Sequence, residues 1–351
     1  MFRWGIFGTG SVSAKFVAGL ASARGAKAVM VASRSLARAQ HFAGALGIDH
    51  AIEGYAKAAQ AGGVDAIYIA TPPSEHTAHA LMCIEAGIPV IVEKPFAVSA
   101  ADARTIAEAA RAGGVFCMEG LWTRFMPATQ ALHRQLATNA IGDVRVIAGS
   151  FGISKKPDPA DSRFDPIRGG GALAQLGVYP LSLAQALLGA PSEIHVTGQI
   201  GETGVDEAAA ISLRYPGGQI ASLFCSLRSP APNHFQVMGT HGMIAFDGPI
   251  FRPYGLTIQR ETPRSSSDSV PDFKARLREH VLVQRIAQLT RQSSRSGIRR
   301  TRHPYAGNGY HYQAVEAERC IALGLGESPV MPLDESIAVL STIDMIRASL
   351  A

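Results

Sequence analysis

The sequence has no run of apolar residues long enough to span a bilayer, no dense or regularly spaced cysteines, and little charge. The first absence removes any expectation of a transmembrane helix. Met1-Phe-Arg-Trp4 leads straight into a strand pattern and lacks the shape of a signal peptide. The four cysteines, Cys83, Cys117, Cys225 and Cys320, are scattered, without metal spacing and without the density of a disulfide framework. Reduced thiols in a cytoplasmic protein are expected. Charged residues make up 17% and apolar ones 47%, so a sizeable core is expected and global disorder is not. At 351 residues, two domains are the natural division.

Net positive charge is also missing from most of the chain. Residues 260–303 hold 11 Lys/Arg against 4 Asp/Glu, a net +7, and the remainder is at −2. The basicity is therefore local. With no aromatic interleaving and no recognised nucleic-acid module, neither nucleic acid nor a membrane is an expected partner.

What is present begins with a strand over residues 3–8 running into Gly8-Thr9-Gly10-Ser11-Val12-Ser13 and then a helix over 14–23. Gly8 permits a tight bend, and Gly10 lets the backbone approach a pyrophosphate at the helix N-terminus. Ser13 stands where the motif wants a third small residue. The next strand, 28–33, should end in Asp or Glu if a ribose 2′-hydroxyl is to be gripped. That acid is absent. Ser33, Arg34 and Ser35 follow instead, with Arg38 one turn on. Guanidinium groups and hydroxyls suit a 2′-phosphate, so NADP is favoured over NAD. Ser35 also reads as an ordinary helix N-cap.

Strands over 66–70, 90–93 and 115–118 alternate with helices over 76–86 and 100–112. This is the pattern of a doubly wound parallel sheet, a Rossmann-type α/β domain over residues 1–120. The stretch Val90-Ile-Val-Glu93-Lys94-Pro95 puts a lysine at the carboxyl end of a buried strand, where open parallel sheets bind ligands. Pro95 restricts Lys94 to an extended backbone. His76 and His79 share a helix face, but no third ligand accompanies them and no metal is expected.

Residues 121–351 change character. Strands over 144–152, 192–200, 207–214, 219–227, 233–239, 243–246 and 256–260 follow one another through short turns. They predict a second, α+β domain with a large, mainly antiparallel open sheet. It is left open that the C-terminal helix packs back on the first domain. Gly169-Gly170-Gly171 should let a loop pass close to a ligand. Gln175 and Tyr179 then share a helical face, and Pro180 should bend or end that helix at Tyr179. Residues 264–303 are expected to be a basic surface appendage, with an amphipathic helix over 271–291.

Together these motifs resemble the Gfo/Idh/MocA oxidoreductase family over nearly the whole chain. The residues that carry the resemblance are the glycine turn, Thr71-Pro72…His76, Glu93-Lys94-Pro95, Gly169-Gly-Gly…Gly177-Val-Tyr179 and Glu327-Ser328-Pro329. Trp122-Thr-Arg124-Phe and Thr203-Gly-Val-Asp206 are most similar to the dihydrodiol and xylose dehydrogenase branch. The resemblance implies NADP-dependent hydride transfer on a sugar or diol, by a dimer or higher homo-oligomer joined through its second-domain sheets. It implies Lys94 and Tyr179 as the catalytic pair. Gly8, Thr9, Gly10, Ser11, Val12, Ser33, Arg34, Arg38, Thr71, Pro72, His76 and Glu93 would contact the cofactor. Trp122, Arg124 and Phe151 would lie near nicotinamide and substrate. An ammonium beside the phenol should lower its pKa and make Tyr179 a workable acid/base. One position departs from the family pattern, Gln175 standing where Asp is usual. An amide hydrogen-bonds a substrate hydroxyl but does not exchange a proton in the working pH range. A second reading therefore stands beside the first, a cofactor-binding sensor or scaffold with reduced or lost turnover.

Overall fold

A computed structural model describes residues 1–261 and 297–350. Six strands form the first sheet: β1 (Phe2–Phe7), β2 (Ala26–Ser33), β3 (His50–Glu53), β4 (Ala66–Ile69), β5 (Val90–Glu93) and β6 (Cys117–Gly120). All of its pairings are parallel, in the order β3-β2-β1-β4-β5-β6. Every residue of β4, β5 and β6 is buried. Strands buried along their whole length belong to a sheet covered on both faces. The crossovers carry α1 (Ser11–Leu20), α2 (Leu36–Leu46), α3 (Tyr55–Gln60), α4 (Pro73–Glu85) and α5 (Ala100–Gly113). Ser35 and Ser99 cap α2 and α5 through their hydroxyls, and left-handed Gly47 and Gly114 close them. The strand order reverses between β1 and β4, which opens a crevice at their carboxyl ends.

The sixth strand begins two residues later than the sequence reading had it. Glu119, expected to lead out of the sheet, therefore lies inside it and is buried.

The second sheet has eight strands: β7 (Val144–Gly152), β8 (Glu193–Ile200), β9 (Asp206–Arg214), β10 (Ile220–Ser226), β11 (Phe235–Gly239), β12 (Gly242–Asp247), β13 (Gly255–Arg260) and β14 (Ile298–Arg302). Its order is β14-β13-β12-β11-β7-β10-β9-β8, antiparallel except where β10 joins β7. The last strand corrects the appendage reading. Residues 298–302, assigned to a surface insertion, pair with β13 as the sheet edge, where exposed arginines also discourage further strand addition. The helix expected over 271–291 lies outside the described residues.

Four more helices complete the described chain: α6 (Pro127–Ala137), α7 (Val178–Leu188), α8 (His311–Ala322) and α9 (Leu333–Leu350). The last of these touches both sheets' neighbourhoods. Asp344 accepts the Ala100 N–H at 2.8 Å at the start of α5, and Leu350 packs against Gly198 of β8. Among the described residues no helix is long and apolar enough to cross a membrane.

Candidate active site

The glycine turn is built as its spacing requires. Gly8 has φ +101°, and a Cβ there would meet the Ala70 carbonyl at 2.7 Å. Only glycine brings β1 this close to the end of β4. Gly10 is the N-cap of α1, and a Cβ on it would meet nothing within 4 Å. No side chain caps this helix and its first turn carries no acid, so its N–H groups face open space that an anion could fill. Ser13 is fully buried beneath the turn, as close helix–strand packing demands.

A cleft of about 340 Å³ opens above the turn. It is lined by Gly8, Thr9, Gly10, Ser11 and Val12, by Ser33, Arg34 and Arg38 beyond β2, and by Thr71, Pro72 and His76 beyond β4. Glu93, Lys94 and Gln175 line it as well. Sequence reasoning missed Tyr55 and Ser162, which contribute to the same walls. Tyr55 had a discoverable signal, an aromatic at a short helix start after β3, but β3 itself was not recognised. A larger hollow of about 920 Å³ lies off β3, lined by Met30, Ala43, His50 and Val64 among others. It contains neither the glycine turn nor the lysine, and size alone does not make it the site.

His76 pins the mouth of the cleft. Its ring nitrogens lie 2.9 Å from the Thr71 carbonyl and 2.9 Å from the Pro95 carbonyl, so the ring sits between the chain beyond β4 and the chain beyond β5. Burial pushes the ring down to about 4, so it is neutral at physiological pH. His79 contacts the Thr71 hydroxyl at 3.0 Å.

Lys94 follows β5 through a cis peptide bond to Pro95. Its ammonium donates to the Gln175 carbonyl at 3.0 Å and sits 5.4 Å from the centre of the Tyr179 ring. The contact is with the face of the ring and not with the hydroxyl. Burial is the main influence on Lys94 and lowers its pKa, while Glu93 and Glu119 oppose that shift. Glu93 accepts a hydrogen bond from the fully buried Tyr68 hydroxyl. Glu119 accepts one from the Phe96 N–H at 3.2 Å. Burial pushes both carboxyls up to about 7.

Tyr179 is 6% exposed and its hydroxyl accepts from the Trp122 indole N–H at 3.3 Å. Burial, then the nearby Glu93 carboxylate, push the phenol upward. The expectation that Lys94 would lower it is overturned, because the ammonium faces the ring and desolvation dominates. An aromatic cluster adjoins the Tyr179 side chain. Trp122 stacks on Tyr310 at 4.5 Å, Phe151 stacks on Phe251 at 5.1 Å, and Phe151 meets Tyr179 edge-on at 5.2 Å. Tyr310 and Phe251 gave no local signal, since each comes from a loop remote in sequence.

The segment bearing Gln175 and Tyr179 differs from its sequence reading in three ways. Leu173–Gly177 form a π turn that leads into α7, and the helix continues through Pro180 to Leu188. Pro180 sits in the first turn of α7, where its missing N–H is tolerated, and the widened π turn supplies the discontinuity. The three glycines pack against protein. Added Cβ atoms would meet Pro73 at Gly169, the Arg163 carbonyl at Gly170 and Asp206 at Gly171. Gln175 turns its amide to the Gly169 carbonyl at 3.4 Å.

Arg124 is also reassigned. It is 3% exposed, and its guanidinium donates to Ser182, to the Val330 carbonyl and to Glu335 at 2.8 Å. Its charge is committed to a buried brace between the Trp122–Phe125 turn and the start of α9, not to a cofactor.

Comparison with known proteins meets this geometry at two levels. Residues 2–121 match the oxidoreductase family with an NAD-binding Rossmann fold, and residues 129–245 match the GFO/IDH/MocA C-terminal domain. The trans-1,2-dihydrobenzene-1,2-diol dehydrogenase of Sus scrofa is 33% identical over 352 residues, spanning 99% of this chain and 96% of that protein. The chain belongs to the Gfo/Idh/MocA oxidoreductase family. Solved structures carry the same fold. A 3-ketoreductase from Actinomadura kijaniata, in complex with NADP and TDP-benzene, superposes with TM-score 0.78 at 22% identity, covering 99% of this chain and 98% of that one. A levoglucosan dehydrogenase in complex with NADH and levoglucosan gives TM-score 0.81 at 20% identity, covering 99% and 97%. One such structure holds NADP and another NADH, so the Gfo/Idh/MocA fold alone does not choose between them.

Proposed function

We propose that this enzyme is an NADP-dependent oxidoreductase that moves hydride between the nicotinamide and a secondary alcohol or carbonyl of a sugar, diol or related small polyol. The observation that carries the reading is the single cleft, in which the glycine turn, Ser33, Arg34 and Arg38 at one end share walls with Lys94 and Gln175 at the other. The first group could hold a dinucleotide, with the α1 N-terminus toward pyrophosphate and the arginines toward a 2′-phosphate.

When bound, the cofactor supplies hydride exchange, and the protein must orient the reacting carbon and handle one proton. A phenol whose pKa is raised keeps its proton at neutral pH. Tyr179 is therefore suited to donate that proton to a carbonyl oxygen being reduced, with Trp122 steadying the oxygen left behind. Lys94 holds the Tyr179 ring and the Gln175 carbonyl in place and brings positive charge toward the developing alkoxide. Gln175 serves as a hydrogen-bonding group.

A second copy of the chain is the partner this reading includes. Ile220, Ser222 and Phe224 alternate outward on β10, and Ile220 is 47% exposed. An apolar strip on an open sheet suits a homodimer contact, which sedimentation or light scattering would test. The activity is tested by a panel of sugars, diols and dicarbonyls followed at 340 nm with NADPH and NADH, and with their oxidised forms. Turnover with none of them, despite tight NADPH binding, would overturn the proposal.

A further inference from the structure

The two halves of the reacting centre meet through a hydrogen bond from Lys94 Nζ to the Gln175 carbonyl at 3.0 Å, with the ammonium over the face of the Tyr179 ring. Lys94 belongs to the loop after β5, and Gln175 to the π turn before α7. Something must hold these two pieces of chain in register. Two residues with no place in the cleft lining lie where they can do so.

Asp206, at the start of β9, is 5% exposed. Its carboxylate accepts the Leu173 N–H at 2.6 Å, at the first residue of the π turn. It also lies so close to Gly171 that a Cβ there would meet it at 2.3 Å, which explains that glycine. Arg347, on α9, approaches the same carboxylate at 3.7 Å. Its guanidinium donates to the Gly170 carbonyl at 3.2 Å and to the Val98 carbonyl at 3.4 Å. Val98 is in the loop that carries Lys94, and Gly170 leads into the turn that carries Gln175. One side chain thus reaches both loops, and its partner holds the turn's first N–H.

We propose that Asp206 and Arg347 form a clamp that sets the spacing between Lys94 and the turn bearing Gln175 and Tyr179, and so act as positioning residues for the reaction. The inference rests on the reading of Lys94 and Tyr179 as the reacting pair. A planar guanidinium suits this task, because it holds several acceptors in fixed directions where a lysine would hold one. Misplacement of reacting groups by about 1 Å costs on the order of a hundredfold in rate, so a clamp remote from the chemistry matters. Arg347 borders a cavity of about 510 Å³, so a shorter side chain there is reached by solvent and leaves no sealed void.

Arg347→Met should lower kcat by roughly ten- to a hundredfold while leaving KM and NADPH affinity within about threefold. Asp206→Asn retains an oxygen for the Leu173 N–H and should lose less, about fivefold, whereas Asp206→Ala should match Arg347→Met. In a Lys94→Ala background, Arg347→Met should cost less than about threefold, since a positioning effect has nothing left to position. A full multiplicative loss there, or an unchanged kcat in the single variant, overturns the clamp. A second readout does not depend on the catalytic assignment. Of the two tryptophans, Trp122 bonds the Tyr179 hydroxyl, so Trp4→Phe leaves one reporter of the turn's position. Arg347→Met should then red-shift Trp122 emission, and an unshifted spectrum counts against the clamp. If Arg347→Met does not fold, Asp206→Asn carries the same two readings. Should Lys94→Ala keep full turnover, the catalytic assignment fails, and the Trp122 spectrum still decides the clamp.

Discussion

At the β2 end of the cleft, Arg34 and Arg38 extend from the start of a helix whose capping is done by Ser35, leaving their side chains to the cleft wall. At the β5 end, Lys94 and Glu93 line the cleft and are held by contacts within the protein, Lys94 over the ring of Tyr179, whose hydroxyl is bonded to Trp122. One end presents cationic side chains along a wall, and the other is held together by contacts within the protein. The difference follows from the two tasks. Donors that a ligand must complete give affinity and selectivity, whereas groups that act on a transition state must be fixed in advance. Burial at the assembled end has an electrostatic signature as well. Both carboxyls beside Lys94 and the Tyr179 phenol are pushed upward.

That contrast can be broken most sharply at the assembled end. Lys94→Ala and Tyr179→Phe should each lower kcat on the order of 10²- to 10⁴-fold, with NADPH affinity from fluorescence titration within about threefold. Equal losses in affinity and turnover would mean the two ends are one unit. At the open end, Arg34→Asp should weaken NADPH binding by about ten- to a hundredfold and leave NADH binding nearly unchanged, because only the 2′-phosphate needs the guanidinium. Equal effects on the two cofactors would remove the selectivity role.

A smaller effect reads the burial of Glu93. Its folded-state pKa is raised from 4.5 to about 7, so the folded protein holds this proton more tightly than the unfolded chain. Stability therefore falls as pH rises from 4.5 to about 7, and the full deficit of about 3 kcal/mol is present above that. Glu93→Gln removes the ionisation. Its melting temperature relative to the parent should rise by a few degrees between pH 4.5 and pH 8, the amide keeping an acceptor for Tyr68. A pH-independent difference would place the carboxylate in a more solvated setting. The smallest effect is expected outside both ends. Replacing residues 264–296 by a short Gly/Ser linker should leave NADPH affinity unchanged, provided β14 is kept.

The two sheets were legible because strand alternation and apolar run length are local signals. The glycine turn and the arginines at the end of β2 were legible too, since one loop sets their geometry. What was misread depends on tertiary partners. Ile298–Arg302 reads as charged loop until β13 is beside it. Arg124 reads as a residue near nicotinamide and substrate, and only Ser182 and Glu335 reveal it as a brace. The π turn has its first N–H held by Asp206, a residue remote in sequence. Tyr179's shift has the opposite sign to the sequence argument because burial dominates it, and sequence motifs show neither that burial nor whether a charge meets a ring face or its oxygen.

His76 has one proton to share between two carbonyls. A neutral imidazole donates from a single nitrogen, so of the Thr71 and Pro95 carbonyls only one is bonded at a time, and the other faces a lone pair. The tautomer thus decides which of the two carbonyls beyond the strand ends the ring bonds. Choosing between them moves a proton across the ring without changing its charge, because burial keeps His76 neutral near neutral pH.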